Sequence, residues 1–217
     1  MSNNFYTTIR ERLSTVIPLA DAAPGGEGRR PSAVAMILRC RERGPECLFI
    51  ERARFQGDPW SGNIGFPGGG YEESDHSLRH TAERETFEEI GVDLSHGHYL
   101  GRLGDIVGAN LPVRVSCFVY GFELELLPHV SEEVQDLFWI PLELLTDPAY
   151  HQQSEVQFGS IRRCVPAIDL RLPGKPVLWG ITYRLVAQFC QRVSPELAPA
   201  LPFVMSGHET VQSPLMP

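Results

Sequence analysis

The chain has 217 residues, is 42% hydrophobic and carries a formal net charge of −8 with a pI of about 5.4. That length and apolar content can bury one sizeable core, so a single main domain is the default. An acidic chain is a poor electrostatic match for nucleic acid or an anionic membrane, so neither is expected as a partner, and it suits a protein that recruits cations.

In chain order, residues 4–17 have helical spacing, with Ile9 and Leu13 on one side. Residues 19–30 read as a linker rich in Ala, Gly and Arg. An apolar run at 32–38 suits a buried strand, and 47–51 reads as its neighbour across an Arg43-Gly44-Pro45 turn. Residues 57–65 form a polar loop carrying Trp60 and Asn63. A helix is predicted over 75–90, with Ser74 or Asp75 as N-cap and Leu78, Ala82, Phe87 and Ile90 toward the core. Strands are predicted at 99–103, 113–124 and 134–140, then a short helix at 141–145. A polar loop follows, then a strand at 161–168 and an amphipathic helix at 179–192. Strands interleaved with two longer helices argue for a mixed sheet between helices. The expected organisation is an N-terminal helix and linker over 1–30, a main domain over 31–194 and a Pro-rich tail over 195–217. Cys40, Cys47, Cys117, Cys164 and Cys190 are scattered without a C-x-x-C pair and read as buried thiols in a reducing compartment. With a polar N-terminus and no long apolar span, the expected location is the cytoplasm.

The most telling run is Arg84-Glu85-Thr86-Phe87-Glu88-Glu89-Ile90-Gly91-Val92. On a helix, Glu85, Glu88 and Glu89 fall at i, i+3 and i+4 and share one side. Such a cluster offers the oxygen ligands that a hard divalent cation takes. It also sits near the helix C-terminus, where the macrodipole disfavours negative charge, so a bound cation would offset a real cost. Gly91 is a natural stop for that helix. Just upstream, Phe66-Pro67-Gly68-Gly69-Gly70 is a turn that glycine makes cheaply. The rival reading is a charged helix face with surface ion pairs.

From Gly70 to Val92 the chain resembles the Nudix box, G-x5-E-x7-R-E-U-x-E-E-x-G-U, where U is aliphatic. Gly70, Arg84, Glu85, Glu88, Glu89, Gly91 and Val92 match. His76 stands at the first glutamate and Thr86 at an aliphatic position; Asp75 or Glu73 is positioned to substitute for the missing carboxylate. The resemblance implies a Nudix-type α/β/α sandwich with a mixed sheet. It also implies Mg²⁺- or Mn²⁺-dependent hydrolysis of a pyrophosphate bond in a nucleotide-containing small molecule. By the same resemblance Glu85, Glu88, Glu89 and the backbone of Gly69 are metal ligands. Arg84 positions a glutamate, and Gly68 and Gly70 belong to the substrate site. Glu88 and Glu133 compete as general base. A homodimer is a family-level expectation.

A second resemblance is to the coenzyme A pyrophosphatase-like branch, which carries L-L-T-x-R-(S/A)-x3-R-x3-G-x3-F-P-G-G upstream. Arg52, Ala53, Gly62 and Phe66-Pro67-Gly68-Gly69 fit; Ile50 replaces the threonine and the second arginine is absent. Coenzyme A, cut to adenosine 3′,5′-bisphosphate and a 4′-phosphopantetheine product, is the substrate this branch implies. ADP-ribose or another nucleoside diphosphate derivative, or a non-catalytic Nudix-fold binding module, are the alternatives. Arg52 reads either as a bidentate phosphate grip or as a strand-end surface residue. Trp60 reads either as a stacking platform for adenine or as a packing lid.

Overall fold

A computed structural model describes residues 2–14, 28–57, 60–109, 111–158 and 161–193. Helix α1 (Ser2–Ser14) precedes the hairpin β1 (Arg30–Arg41) and β2 (Gly44–Arg52). Two short strands, β3 (Ile64–Gly65) and β4 (Gly68–Gly70), lead into helix α2 (Leu78–Ile90). Strands β5 (His98–Arg102), β6 (Ile106–Val107), β7 (Val113–Phe122) and β8 (Val134–Pro141) follow, then helix α3 (Leu142–Thr146). A second sheet comprises β9 (His151–Phe158), β10 (Ile161–Ile168) and β11 (Leu178–Trp179), and helix α4 (Gly180–Val193) ends the described chain.

The main sheet is mixed. β1 runs parallel to β7 from Arg30↔Val113 to Arg39↔Phe122 and antiparallel to β2 from Leu38↔Cys47 to Arg41↔Gly44. β7 fills one edge of β1 along its length, so β2 and β4 share the other: β4 pairs at Ser32↔Gly70, Ala33↔Gly69 and Val34↔Gly68. In the same way β8 fills one edge of β2, and β3 takes the other edge beyond the β1 pairing. The hairpin therefore splays open, and the β3–β4 segment enters the gap as part of the sheet.

Both sheet faces are covered, which explains the near-continuous apolar runs of β1, β2 and β7. Met36, Leu38, Cys47, Phe49, Cys117 and Val119 face one core. There α1 contributes Tyr6, Ile9 and Leu13, and α4 contributes Tyr183, Leu185, Val186 and Phe189. The alternate residues Ala35, Ile37, Leu48, Ile50, Phe118 and Tyr120 face a second core with Leu78, Ala82 and Ile90 of α2. The result is the expected three-layer α/β/α sandwich. Lys175, in the loop before β11, bridges Glu51 of β2 at 2.7 Å and Asp136 of β8 at 2.5 Å, tying the second sheet to the first.

Several expectations need correction. The hairpin turns at Glu42 and Arg43, and Gly44 (φ 121°) already belongs to β2. The polar segment 151–158 is a strand rather than a loop. Only His151 and Val156 are buried among its described side chains, so it lacks the apolar alternation that signals a strand. Cys164 is exposed on β10, whereas Cys47, Cys117 and Cys190 are buried and Cys40 partly so; all five are free thiols. Phe87 is 60% exposed, not core. The buried stripe of α2 is Leu78, Thr81, Ala82, Thr86, Glu89 and Ile90, and a residue between Thr86 and Glu88 lies out of phase with it. Among the described residues no helix is long and apolar enough to cross a membrane. The tail expected over 195–217, residues 19–27 of the expected linker and the end of the first predicted helix at 15–17 lie outside the described residues.

Candidate active site

Helix α2 starts at Leu78, three residues later than expected. Ser77 is its N-cap, with its hydroxyl accepting from the His80 N–H at 3.1 Å. Asp75 cannot cap because its carboxylate is committed elsewhere. Arg84 Nε donates to its Oδ1 at 2.9 Å and Arg84 Nη2 to its Oδ2 at 3.0 Å, a bidentate pair. The Glu72 N–H and the Thr81 hydroxyl donate to Oδ2 at 3.0 and 2.9 Å, the His80 ring Nδ1 lies 3.1 Å from Oδ1, and the side chain is fully buried. Foremost the Arg84 hydrogen bonds hold the Asp75 carboxyl well below the usual carboxylate range, against the opposing effect of burial. The pair likewise raises the Arg84 pKa.

The rest of the Arg84 guanidinium points at the glutamates. Nη1 donates to Glu85 at 3.1 Å and to Glu88 at 2.9 Å, and Nη2 also reaches the Gly70 carbonyl at 3.1 Å. One arginine thus joins the start of the helix, the glycine strand and the acidic cluster. At the far end Gly91 (φ 67°) closes the helix in the left-handed region, its N–H donating to the Phe87 carbonyl at 2.9 Å.

Strand β4 lies against the glutamates. The Gly68 N–H donates to Glu89 Oε2 at 2.8 Å. Gly68 has φ 148°, and a Cβ there would collide with the Ala33 carbonyl. At Gly69 a Cβ would stand 2.5 Å from the Glu85 carboxylate. Two glycines are therefore required, one by the sheet and one by the carboxylate. Arg52, at the end of β2, reaches Glu89 Oε1 with Nη1 at 3.4 Å.

Glu85, Glu88 and Glu89 line one cleft together with Phe55, Ser131, Glu132 and Glu133. The 129–134 loop is pinned there by backbone bonds: Ser131 N–H to the Glu89 carbonyl and Ala53 N–H to the Glu133 carbonyl, each 2.8 Å. The Glu133 side chain is exposed and has no hydrogen-bond partner among the described residues, whereas Glu88 is tied to Arg84. Glu89 is only 2% exposed. Its burial, with help from the charges of Glu85 and Glu133, pushes its pKa to about 7 against the pull of the Gly68 N–H and Arg52. Burial also raises the Glu85 carboxyl, against Arg84. Five carboxylates crowd one cleft, two with raised proton affinity, so the cleft is short of positive charge.

The NUDIX domain profile matches residues 29–159, more than half of the chain. The chain belongs to the Nudix family. The human mitochondrial coenzyme A diphosphatase is 30% identical over 183 residues, 82% of this chain and 75% of its own length. An uncharacterized Schizosaccharomyces pombe protein is 33% identical over 165 residues, 64% of this chain, and the match spans about half (49%) of that longer relative. The crystal structure of a MutT/nudix family protein from Enterococcus faecalis superposes with a TM-score of 0.50 at 16% identity. It covers 89% of this chain and 78% of its own, a likeness that speaks to the fold.

Within the Nudix box the two departures have physical explanations. His76 is exposed, and it is the neighbouring Asp75 whose carboxylate engages the box arginine. Thr86 is fully buried where the box has an aliphatic residue, and its hydroxyl is satisfied by the Ala82 carbonyl at 2.6 Å. Nudix hydrolases use divalent cations, and the donor chemistry here fits one. Among the described residues no three acidic, His or Cys side chains converge tightly enough as placed to enclose an ion. Mg²⁺ does not require that, because it keeps several waters and binds through one or two carboxylates plus substrate phosphates. Glu85, Glu88 and Glu89 would hold it, with Gly69 alongside Glu85.

Proposed function

We propose that this Nudix chain hydrolyses the pyrophosphate bond of coenzyme A, releasing adenosine 3′,5′-bisphosphate and a 4′-phosphopantetheine product. The observation that carries the reading is the acidic cleft, where Arg84, anchored on Asp75, orients Glu85 and Glu88 against the glycine strand. A bound divalent cation would neutralise the diphosphate and acidify a water. The chain itself supplies position and proton handling. Arg52, beside Glu89 at the edge of the cleft, is placed to grip a diphosphate oxygen. Glu133 is the better-suited general base, since its oxygens are uncommitted while Glu88 shares its own with Arg84. Coenzyme A is favoured by the upstream match at Arg52, Ala53 and Gly62 and by the human relative, itself a coenzyme A diphosphatase.

The test is a product assay with Mg²⁺ or Mn²⁺ on coenzyme A, ADP-ribose, NADH and nucleoside diphosphate sugars, run beside Glu89→Gln. Metal-dependent release of adenosine 3′,5′-bisphosphate from coenzyme A, strongly reduced in the variant, is expected. Preference for ADP-ribose would overturn the substrate, and no turnover on any compound would overturn catalysis in favour of a binding module.

A further inference from the structure

The acidic cleft is one of two cavities against β4. The other shares no lining residue with it, yet has Gly68, Gly69, Gly70 and Arg52 in its wall. Its lining is mostly apolar, including Ile64, Leu111, Val115 and Leu185, with Trp60 and Trp179 among the lining residues. Among the described residues two charged side chains line it, Arg52 and Arg184, and no carboxylate does. In a chain with 27 acidic and 19 basic side chains, that sign is the opposite of the average and marks an anion site.

The two arginines stand on opposite flanks of β1. Arg52 ends β2 and touches Glu89, on the side of the metal cleft. Arg184, in α4, is exposed and donates through Nη1 to the Val107 carbonyl of β6 at 2.8 Å, and β6 pairs with the far edge of β7. That bond anchors the guanidinium while leaving most of its donors uncommitted. No carboxylate lies within ion-pair distance of it among the described residues. The polar group between the tryptophans is also defined. The Trp179 indole N–H, which can only donate, meets Asn63 Oδ1 at 3.3 Å, so the Asn63 amide presents its NH₂. Flat apolar rings, one amide donor and a cation at each end suit a purine nucleoside whose ring nitrogens accept.

We infer that this pocket seats the substrate's purine nucleoside, with Trp60 and Trp179 against the base, and that Arg184 binds a second phosphate on the ribose, remote from the diphosphate. The orientation rests on the hydrolytic reading above, which puts the diphosphate at Arg52. A plain nucleoside diphosphate derivative carries its charge on one side of the sugar and leaves Arg184 without an anion. A nucleoside with a separate ribose phosphate, as in coenzyme A, has charge for both. Arg184 is thereby the residue that separates coenzyme A from ADP-ribose and NADH.

The test is calorimetric titration of the wild type, Arg184→Gln and Arg184→Lys with adenosine 3′,5′-bisphosphate and AMP, beside kcat/KM on coenzyme A and 3′-dephospho-coenzyme A. The wild type should bind the bisphosphate about tenfold or more tightly than AMP, a typical gain for a charge-assisted contact. Arg184→Gln should bring the bisphosphate down to the AMP level and leave AMP unchanged, with Arg184→Lys between. Equal wild-type affinity for the two nucleotides overturns the inference. So does an equal loss on both in Arg184→Gln, which would mark a structural tie to Val107. A wild type with the binding preference that cleaves neither coenzyme A defeats the hydrolytic reading and leaves the Arg184 site standing. Equal kcat/KM on the two coenzymes does the reverse.

Discussion

The two cavities beside β4 are built on different principles. In the acidic cleft Glu89 is held by the Gly68 N–H, and Glu85 and Glu88 are held by Arg84, which is itself held by Asp75. In the apolar pocket most of the surface is generic side chain, and the polar anchors are few: Asn63 with the Trp179 indole, Arg184 on the Val107 carbonyl and Arg52 beside Glu89. Chemistry demands geometry to within fractions of an ångström, so its groups are cross-braced. Recognition of a flat base tolerates more, so its walls are hydrophobic with a few anchors.

That contrast can be broken hardest at the carboxylates. Glu89→Gln should lower kcat by roughly 10²–10³-fold without lowering the melting temperature, since burying a neutral amide spares the cost of burying charge; steady-state assays beside a thermal melt check both. Asp75→Asn should cost about 3 kcal/mol of stability, because it leaves a largely buried guanidinium short of its counter-charge. Denaturant titration reads that loss. Its sign with pH follows from the depressed Asp75 pKa: the contribution is complete above about pH 4 and is lost as pH falls further, so the variant and wild type should converge in acid. Gly69→Ala should push Glu85 aside and lower kcat about 100-fold with Km for substrate little changed, because the collision is with a carboxylate rather than backbone.

A gentler probe is the pH dependence of the metal-free protein. The folded Glu89 pKa, about 7, lies above its unfolded value. The native state therefore holds an extra proton between about pH 4.5 and 7, and stability should fall as pH rises through that window, by at most ~3 kcal/mol. Glu89→Gln should flatten the slope, and saturating Mn²⁺ should remove it by replacing the proton. The smallest expected effect is Thr86→Val, within about 1 kcal/mol of wild type and with unchanged kcat, since the lost hydroxyl bonds only to a carbonyl of the same helix.

The cleft was legible because its parts are contiguous. Helical spacing alone brings Glu85, Glu88 and Glu89 together, and the glycine turn sits at a fixed offset before them. The substitute for the missing box carboxylate was legible only as a choice between Asp75 and Glu73. Both are acidic, and it takes the fold to show that Asp75 is buried under Arg84 while Glu73 is exposed. The apolar pocket was hardly legible at all. Trp60 stood out as a possible platform, but Trp179 and Arg184 come from the opposite end of the chain and meet it only through the sheet. Arg184 falls within an amphipathic helix, where an exposed arginine is unremarkable until the pocket beside it is seen. Strand β9 was missed for the converse reason: its partner on β10 supplies the pairing that its own polar sequence does not advertise.

The parallel pairing of β1 with β7 has a kinetic consequence. Arg30 sits beside Val113, and everything that makes the acidic helix and the glycine strand lies in the loop between them. Closing so long a loop costs chain entropy before its contacts return any stabilisation, which slows folding in topologies of this kind. Strand β4 can hydrogen-bond only to a β1 already in place, and Gly68 only then meets Glu89. The carboxylate cluster is therefore a late-forming feature, so a divalent cation should slow unfolding far more than it speeds refolding.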